Sequence, residues 1–193
     1  FSRKTNKLIV NKQIHNNYFK NVYSNKYDLK KLRKEITTFN EIENIINSNK
    51  ILYFYPASYV KHKNHLRLIK AFEILPENVK NNIFLLLTIN RNEIKKLTKE
   101  KNIITLGEIN RNFINYLYKN SNFLIFPSVV ESLGIPILEA KYSNLKIISS
   151  NLEVISEISN PLITFNPESV DNISSAILAS YKHAYFKKWK ILF

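Results

Sequence analysis

From Lys50 onward, short apolar runs alternate regularly with segments whose apolar residues recur at helical spacing. Each apolar run contains few polar residues, as strands do when both faces of a parallel sheet are covered. The segments between the runs place apolar residues three or four positions apart, which is typical of amphipathic helices. This alternation predicts an open parallel α/β sheet with helices on both faces.

The same pattern divides the chain into elements and regions. The predicted strands cover residues 51–55, 83–89, 103–106, 123–126, 146–149 and 162–165. The predicted helices cover residues 66–75, 93–99, 112–118, 135–143, 153–158 and 168–181, with one or two more within residues 28–47. We interpret residues 1–49 as a linker or incomplete amino-terminal region with a helical segment, 50–182 as the α/β domain, and 183–193 as a basic, aromatic tail.

The chain is strongly basic, with 29 Lys and Arg against 15 Asp and Glu and a formal charge of +14. Such a balance favours anionic partners: a nucleotide substrate, acidic phospholipid or nucleic acid. A lysine-rich composition bias explains the charge equally well. The lysines are dispersed and no RNA-recognition or zinc-finger pattern is present, so nucleic acid is the least favoured of these partners.

Residue types that are scarce exclude several kinds of site. There are no cysteines, which excludes disulfides and thiolate zinc sites. Asp28 and Asp171 are the only aspartates, so an Asp-x-Asp metal motif is absent and we expect no metal at the site. Gly107 and Gly134 are the only glycines, which excludes the glycine-rich loops that bind dinucleotides and phosphates.

The segment 127–140 joins the fourth predicted strand to the next helix through a Gly-x-Pro turn. Pro136 suits a first helical position because its φ is already helical, and Gly134 allows a ligand to approach the backbone closely. The first amides of the helix would point outward, which attracts phosphate. Two carboxylates, Glu131 and Glu139, flank the turn. The alternative is an ordinary strand-to-helix turn, with Glu139 favoured by the helix dipole.

The Glu-x7-Glu spacing around this turn resembles the donor-site signature of retaining glycosyltransferases of family 4. The resemblance implies that Glu131 contacts the donor sugar and stabilises the transition state as the catalytic carboxylate. It also implies that Glu139 binds the ribose of the sugar nucleotide. The donor-binding set further includes the backbone of the turn, at Ser132, Leu133, Gly134 and Ile135.

An earlier segment extends the resemblance, which covers roughly residues 50–180 in the expected order. Residues 53–58, followed by the run His-Lys-Asn-His at 62–65, resemble the first strand and loop of the same family's donor domain. The match is best with the branch that transfers mannose or related sugars. The resemblance therefore implies that Lys63 contacts the donor diphosphate, where a cation offsets the charge of the leaving group.

A third segment, residues 103–109, resembles the family strand and loop whose backbone faces the nucleotide base, which adds Gly107 to the donor-binding set. One departure concerns the phosphate. Many members of the family carry an arginine beside the first strand, but residues 56–60 contain none. We expect Lys61 or Lys63 to substitute for it, or donor binding to be weak.

The family that the chain resembles has two α/β domains of the GT-B type, and this chain matches only the carboxy-terminal, Rossmann-like half. The resemblance implies transfer of a hexose, with mannose favoured, to a saccharide or lipid-linked acceptor in polysaccharide biosynthesis. GDP-mannose is expected over a UDP-sugar as the donor, with no separate cofactor. The missing amino-terminal domain would bind the acceptor, so we expect this part alone to transfer nothing. The expected location is cytoplasmic, including peripheral contact with the cytoplasmic membrane face.

Two other functions stay open. One is a catalytically inactive relative that binds a nucleotide or a partner protein, and the other is a basic nucleic-acid-binding α/β domain. Binding that depends steeply on salt and survives loss of Glu131 would favour the nucleic-acid alternative. The tail, which includes Trp189 and Phe193, either lies on a membrane, packs against the missing domain or forms the frayed end of a helix.

Overall fold

The computed structural model describes residues 27–94 and 98–192. Within them, six strands form one sheet in the order β3-β2-β1-β4-β5-β6, and every neighbouring pair is parallel. The strands are β1 (Ile51–Tyr55), β2 (Ile83–Leu87), β3 (Ile103–Thr105), β4 (Phe123–Phe126), β5 (Lys146–Ser150) and β6 (Ile163–Phe165). The predicted fold class, an open parallel sheet of Rossmann type, is therefore confirmed.

Helices occupy the connections between the strands. They are α1 (Leu29–Glu35), α2 (Phe39–Asn47), α3 (His65–Glu73), α4 (Glu77–Lys80), α5 (Arg91–Ile94), α6 (Arg111–Asn120), α7 (Ile135–Tyr142), α8 (Glu153–Ile158) and α9 (Val170–Leu192). A short 3₁₀ turn (Lys61–Lys63) precedes α3. None of the helices in the described ranges is both long enough and apolar enough to cross a bilayer.

The helical region ahead of β1 consists of two helices joined by a sharp corner. The Asp28 side chain accepts hydrogen bonds from the amides of Lys30 at 2.9 Å and Lys31 at 3.2 Å, which caps the start of α1. After the corner, Arg33 of α1 donates to Glu43 of α2 at 2.8 Å. The pair is solvent-accessible and contributes little stability, so the corner depends mainly on apolar packing.

Successive residues of β1 show that helices cover both faces of the sheet. The Tyr53 hydroxyl lies 2.8 Å from the Ser180 hydroxyl on α9. The ring of Phe54 instead meets Tyr118 of α6 edge-on, with ring centroids 5.2 Å apart. Because neighbouring residues of a strand point to opposite faces, α9 and α6 lie on opposite sides of β1.

The strand order reverses between β1 and β4, which are neighbours in the sheet although β2 and β3 separate them in the sequence. In sheets of this kind, ligands bind at the carboxyl ends of the strands beside such a reversal. The loops after β1 and β4 carry Lys63 and Glu131, and Gly107 follows β3 at the same edge. The prediction that Glu131 and Gly107 share one sheet edge is confirmed.

Most predicted elements differ from the structure by one or two residues at one or both ends. Strand β2 ends at Leu87 rather than at residue 89, because the Thr88 side chain accepts a hydrogen bond from the Ala57 amide at 2.9 Å at the point where the ladder stops. The helix predicted over 93–99 begins earlier, as α5, and Thr98 and Lys99 are not helical. Residues 95–97 of that prediction lie outside the described residues.

The last helix, α9, continues past the predicted domain boundary at 182 and reaches Leu192. The boundary itself stays a prediction. Tyr185 and Phe186 on this extension are 52% and 68% exposed. The side chain of Trp189, and Phe193 as a whole, lie outside the described part of the chain.

Candidate functional site

Lys63 and Glu131 meet across the crevice between the loops that follow β1 and β4. The Lys63 ammonium donates to Oε2 of Glu131 at 2.6 Å, and the two side chains are only 18% and 10% exposed. The ammonium also lies 5.5 Å from the centre of the Phe126 ring, at the end of β4. Two residues that the sequence assigned to one donor site therefore form one ion pair.

Asn64 fixes the turn that presents Lys63. It ends the 3₁₀ turn with φ of 61°, in the left-handed region that asparagine tolerates better than most residues. Its buried side-chain amide donates to the carbonyls of Pro127 at 3.0 Å and Pro167 at 2.7 Å. The loop after β1 is thereby tied to the loops after β4 and β6. Sequence analysis gave Asn64 no role, although an asparagine between turn and helix is a signal for this geometry.

The hydroxyl of Tyr55, at the end of β1, supports the same turn. It donates to the Lys63 carbonyl at 2.8 Å and lies 3.2 Å from the Ser128 hydroxyl. Burial raises the pKa of Tyr55 above its ordinary value, so the phenol stays protonated and remains a donor. The Val129 amide donates to the His62 carbonyl at 2.9 Å, which joins the two loops a second time. The His62 side chain itself is exposed.

The Glu131 carboxylate caps its own loop. Oε1 accepts from the amides of Ser132 at 3.1 Å and Leu133 at 3.4 Å. Burial acts to raise the pKa of Glu131, but the Lys63 hydrogen bond and the turn amides outweigh it and hold the pKa below its ordinary value. Two of the turn amides that were expected to bind the donor, those of Ser132 and Leu133, are therefore already occupied by an internal anion.

Gly134 begins the turn into α7 with φ of 59°, the left-handed region in which a side chain is strained. A Cβ at this position would also lie 2.6 Å from Cδ1 of Ile158. Pro136 stands in the first turn of α7, where its missing N–H leaves no helical hydrogen bond unmade. Leu133 and Ile135 are 58% and 45% exposed. At this edge of the sheet, the turn therefore offers a backbone with no side chain at Gly134, and exposed apolar side chains on either side of it.

Glu139, on α7, is buried and held by two residues of α6. Only 3% of it is exposed. Oε2 accepts from the Tyr118 hydroxyl at 2.7 Å, and Oε1 accepts from the Arg111 guanidinium. Each carboxylate oxygen can accept more than one hydrogen bond, so a ribose hydroxyl can reach Glu139 only by sharing the carboxylate with these donors or replacing one of them.

Arg111 is the candidate residue that sequence analysis missed. Its side chain is 38% exposed whereas that of its partner Glu139 is 4% exposed, so the guanidinium covers a buried carboxylate and also faces solvent. It is the first residue of α6, which Asn110 caps by accepting from the Phe113 amide at 3.0 Å. The sequence did contain a signal for this residue. Arg111 directly follows a capping asparagine at the start of a helix, just after the loop of Gly107, which is a position at the carboxyl edge of the sheet.

Gly107 and Lys61 share the sheet edge without joining the ion-paired cluster. Gly107 has φ of 66°, and its amide donates to the carbonyl of Ile89 at 3.1 Å, beyond the end of β2. A Cβ on Gly107 would lie 3.1 Å from the side-chain oxygen of Asn90. Lys61, weighed as a substitute for the missing arginine, forms no ion pair within the described ranges.

The charge available for an anion at this edge comes from side chains and backbone. In the part of the chain that the structure describes, no group of three or more His, Asp or Glu side chains is placed to hold a metal ion. Lys63, Arg111 and the amides of the turn into α7 supply positive charge at the carboxyl edge. This arrangement suits an oxyanion with several acceptor oxygens, such as a diphosphate.

Comparisons with known proteins agree with this fold. A family model described as "Glycosyl transferases group 1" matches residues 37–183. No curated protein matches the sequence. Among solved structures, an α,α-trehalose-phosphate synthase (UDP-forming) from Burkholderia xenovorans, in complex with glucose-6-phosphate, aligns with a TM-score of 0.65 and 13% identity. That alignment covers 85% of this chain and 42% of the synthase chain.

Two further structures share the fold. A glycosyltransferase from Rickettsia africae ESF-5 aligns with a TM-score of 0.63 and 20% identity, over 86% of this chain and 44% of the other. The catalytic domain of cholesterol-α-glucosyltransferase from Helicobacter pylori aligns with a TM-score of 0.57 and 21% identity, over 74% of this chain and 97% of the other. The present chain spans about two fifths of the length of the trehalose-phosphate synthase.

Proposed function

The chain belongs to the family of glycosyl transferases group 1, and from this premise we propose that it holds the nucleotide-sugar donor of a retaining hexosyltransferase. The acceptor, a saccharide or a lipid-linked saccharide, would bind to a separate amino-terminal domain. GDP-mannose is the donor that the His-Lys-Asn-His turn at 62–65 favours by resemblance. Polysaccharide biosynthesis in the cytoplasm, including the inner membrane face, is the corresponding setting.

The proposal rests mainly on one observation, a positively charged cradle that already holds an anion. We call Lys63 and the amides of Ser132 and Leu133 the anion cradle. An internal carboxylate, that of Glu131, lies within hydrogen-bonding distance of all three groups. A group that binds one oxyanion through a cation and backbone amides is chemically suited to another. The donor diphosphate would replace the carboxylate in the cradle.

In the proposed reaction, the bond from the anomeric carbon to the diphosphate breaks and a bond to the acceptor oxygen forms on the same face of the sugar. The acceptor proton passes to the leaving diphosphate. Lys63 and the turn amides are placed to stabilise the negative charge that develops on this leaving group. Glu131, once it has left the cradle, would face the positive charge that develops at the anomeric carbon.

The remaining contacts are assigned to the nucleotide. Glu139 would accept the ribose hydroxyls, sharing its carboxylate with Tyr118 and Arg111. The backbone at Gly107 would contact the nucleotide base. Glu131 is the proposed catalytic carboxylate, and Ser132, Leu133, Gly134 and Ile135 complete the donor-binding turn.

One observation favours a second candidate function. Both carboxylates of the signature are engaged inside the protein, Glu131 by Lys63 and Glu139 by Arg111 and Tyr118. If a ligand cannot displace these internal ion pairs, the chain would be an inactive relative that binds a nucleotide weakly or acts through a partner protein. The two candidates differ in whether a nucleotide sugar can open the Lys63–Glu131 pair.

Calorimetric titration of the chain with GDP-mannose, GDP and UDP-glucose tests the proposal. We expect GDP-mannose to bind, and Lys63→Gln to weaken that binding roughly tenfold or more, since it removes a charge-assisted hydrogen bond. Lys30→Gln is the matched control, because it removes the same charge from an exposed position on α1, away from the cradle. Equal binding by the two variants would overturn the proposed site, and no binding by the unaltered chain would favour the inactive relative.

A further inference from the structure

A cavity of about 480 Å³ adjoins the turn that presents Lys63, without Lys63 in its lining. It adjoins the amino-terminal end of α3, at the same carboxyl edge of the sheet. We call it the α3 cavity. It is lined by Tyr59, Val60, Lys61, Asn64, His65, Leu66, Arg67 and Lys70.

Three cations, Lys61, Arg67 and Lys70, surround this cavity without a counter-charge. Over residues 27–94 and 98–192, no carboxylate lies within 4.0 Å of any of them. The first turn of α3 contains no acidic residue either. Lys61 and Arg67 lie beside the amino terminus of α3, where the helix dipole disfavours cations, and the three cations also repel one another. The cluster therefore gains stability when an anion enters the cavity.

His65 supplies a second, independent indication of a ligand. Its side chain lines the cavity and the residue is only 2% exposed, yet neither ring nitrogen makes a hydrogen bond. The Ala57 carbonyl is close enough to influence the imidazole but does not complete a hydrogen bond. Buried polar atoms are normally satisfied by a protein group or by water, so a ring nitrogen that turns toward the cavity can pair with an oxygen of a ligand bound there.

The cavity walls also indicate the chemistry of the ligand, both its phosphate group and the part that carries it. Val60 and Leu66 are 42% and 47% exposed, so apolar surface flanks the cations. Arg67 donates to the Asn64 side-chain oxygen at 3.1 Å, which orients the planar guanidinium at the cavity wall. A guanidinium oriented in this way, with two ammonium groups nearby, matches the oxygens of a phosphate group.

We propose that the α3 cavity binds the phosphate group of a phosphorylated ligand, at a site separate from the anion cradle. Lys61, Arg67 and Lys70 bind the phosphate oxygens, and His65 makes a hydrogen bond to one of the ligand's oxygens. Val60 and Leu66 contact the carbon skeleton that carries the phosphate. The ligand is either a soluble phosphate ester or the phosphate headgroup of a lipid. This site stands independently of the proposed donor function.

The test follows the ring nitrogens of His65 by NMR in the full 193-residue chain, assigned by elimination in variants of His15, His62 and His183. The probes are inorganic phosphate, glycerol 3-phosphate, and phosphatidylcholine vesicles with or without phosphatidic acid. We expect the His65 signals to shift with a phosphate-bearing probe, and the double variant Lys61→Gln/Lys70→Gln to weaken that binding about tenfold or more. Lys30→Gln/Lys34→Gln, which removes the same charge from α1, should change it less than about twofold.

The outcomes separate the sources of the phosphate. Saturable shifts with glycerol 3-phosphate support a soluble ester, whereas binding only to vesicles that contain phosphatidic acid supports a lipid headgroup. Lys63→Gln should leave either kind of binding in place, because Lys63 belongs to the cradle. The proposal is overturned if no probe shifts His65 and vesicles do not bind, or if both double variants lose binding equally.

Discussion

The Lys63 ammonium and the Glu131 carboxylate lie 2.6 Å apart and partly out of solvent, so each neutralises the other before any ligand arrives. In the proposed mode of binding, the diphosphate takes the place of Glu131 beside Lys63. Glu131 therefore competes with the proposed donor, because its carboxylate holds the same cation and amides that the donor diphosphate needs. A change at Glu131 should therefore alter nucleotide affinity, even though Glu131 is not proposed to touch the nucleotide.

Replacing Glu131 by glutamine should tighten the binding of free GDP. The variant removes the internal competitor for Lys63 and leaves the cation unneutralised, and a partly buried pair of this kind is worth about 1 kcal/mol, or roughly fivefold in affinity. Calorimetry at constant ionic strength measures the change. Glu157→Gln, an exposed change on α8, is the control. Weaker GDP binding by Glu131→Gln would contradict the competition.

Replacing Glu139 or Arg111 should weaken GDP binding by non-additive amounts. Glu139→Gln removes the charge that accepts the ribose hydroxyls and holds Arg111, and such a loss is worth about 1.5–3 kcal/mol. Arg111→Gln should lower affinity because the carboxylate loses the group that orients it. In a double-mutant cycle, the two losses should sum to more than the loss in the double variant, since the residues are in contact. If the two losses of GDP-binding free energy simply add up in the double variant, Arg111 does not act through Glu139.

Tyr118→Phe should lower the free energy of unfolding by about 1–2 kcal/mol. It removes the 2.7 Å hydrogen bond to Oε2 of a carboxylate that is almost fully buried, and leaves that oxygen to Arg111 and water. Urea denaturation measures the change. Tyr185→Phe, an exposed tyrosine on α9, is the control and should change stability by no more than about 0.5 kcal/mol. Equal effects of the two variants would mean that Tyr118 contributes only its ring.

Gly134→Ala should destabilise the chain by about 1–2 kcal/mol, because alanine is strained at φ of 59°. The new methyl group would also crowd Ile158, whose Cδ1 lies 2.6 Å from the Cβ position. Asn144→Ala also places alanine in the left-handed region, at φ of 55°, but it lies beyond the carboxyl end of α7, away from the cradle. Both variants should lower the thermal midpoint, whereas only Gly134→Ala should weaken binding of the sugar nucleotide. Loss of binding in both would point to unfolding rather than to the turn.

His65 should make the chain less stable in mild acid. Burial, assisted by the charge of Lys63 and opposed by the Ala57 carbonyl, lowers the pKa of His65 to about 4 from 6.5. The unfolded chain takes up a proton as the pH falls below 6.5, but the folded chain resists until about pH 4. The free energy of unfolding should therefore fall across this window by up to about 3 kcal/mol.

Urea denaturation at pH 7 and pH 4.5, for the unaltered chain and for His65→Leu, isolates this contribution. The leucine variant cannot take up the proton, so it should lose less stability on acidification than the unaltered chain does. Its stability at pH 7 should be nearly unchanged, since no hydrogen bond to the imidazole is lost. An identical loss in both proteins would show that His65 does not titrate differently on folding.

The number of strands and their parallel direction could be predicted from the sequence because each apolar run is short, continuous and separated by a helical segment. The limits of elements were less predictable. The four-residue helix α4 was missed because one turn carries too little periodicity to detect. The end of β2 depends on a contact between Thr88 and Ala57, which are 31 positions apart. The sequence does not encode such a contact locally.

For the candidate site, individual residues could be predicted from the sequence but their contacts could not. Lys63, Glu131 and Glu139 could be named because their spacing around turns resembles a known signature. Their mutual arrangement could not be predicted. The Lys63–Glu131 pair spans 68 positions, and Arg111 reaches Glu139 from a different helix. Ion pairs of this kind depend on the packing of loops and helices, which a local pattern does not contain.

The bonds of Asn64 have a consequence for the speed of binding. Its side chain fastens the loop after β1 to the loops after β4 and β6, so the backbone that carries Lys63 and Glu131 has little freedom to swing. The ion pair must then open by rotation of side chains, which takes picoseconds to nanoseconds, rather than by loop movement over microseconds. Nucleotide capture should be limited by diffusion and charge rather than by a slow conformational step. Breaking the two Asn64 bonds, as in Asn64→Ala, should introduce a slower phase that stopped-flow measurements can detect.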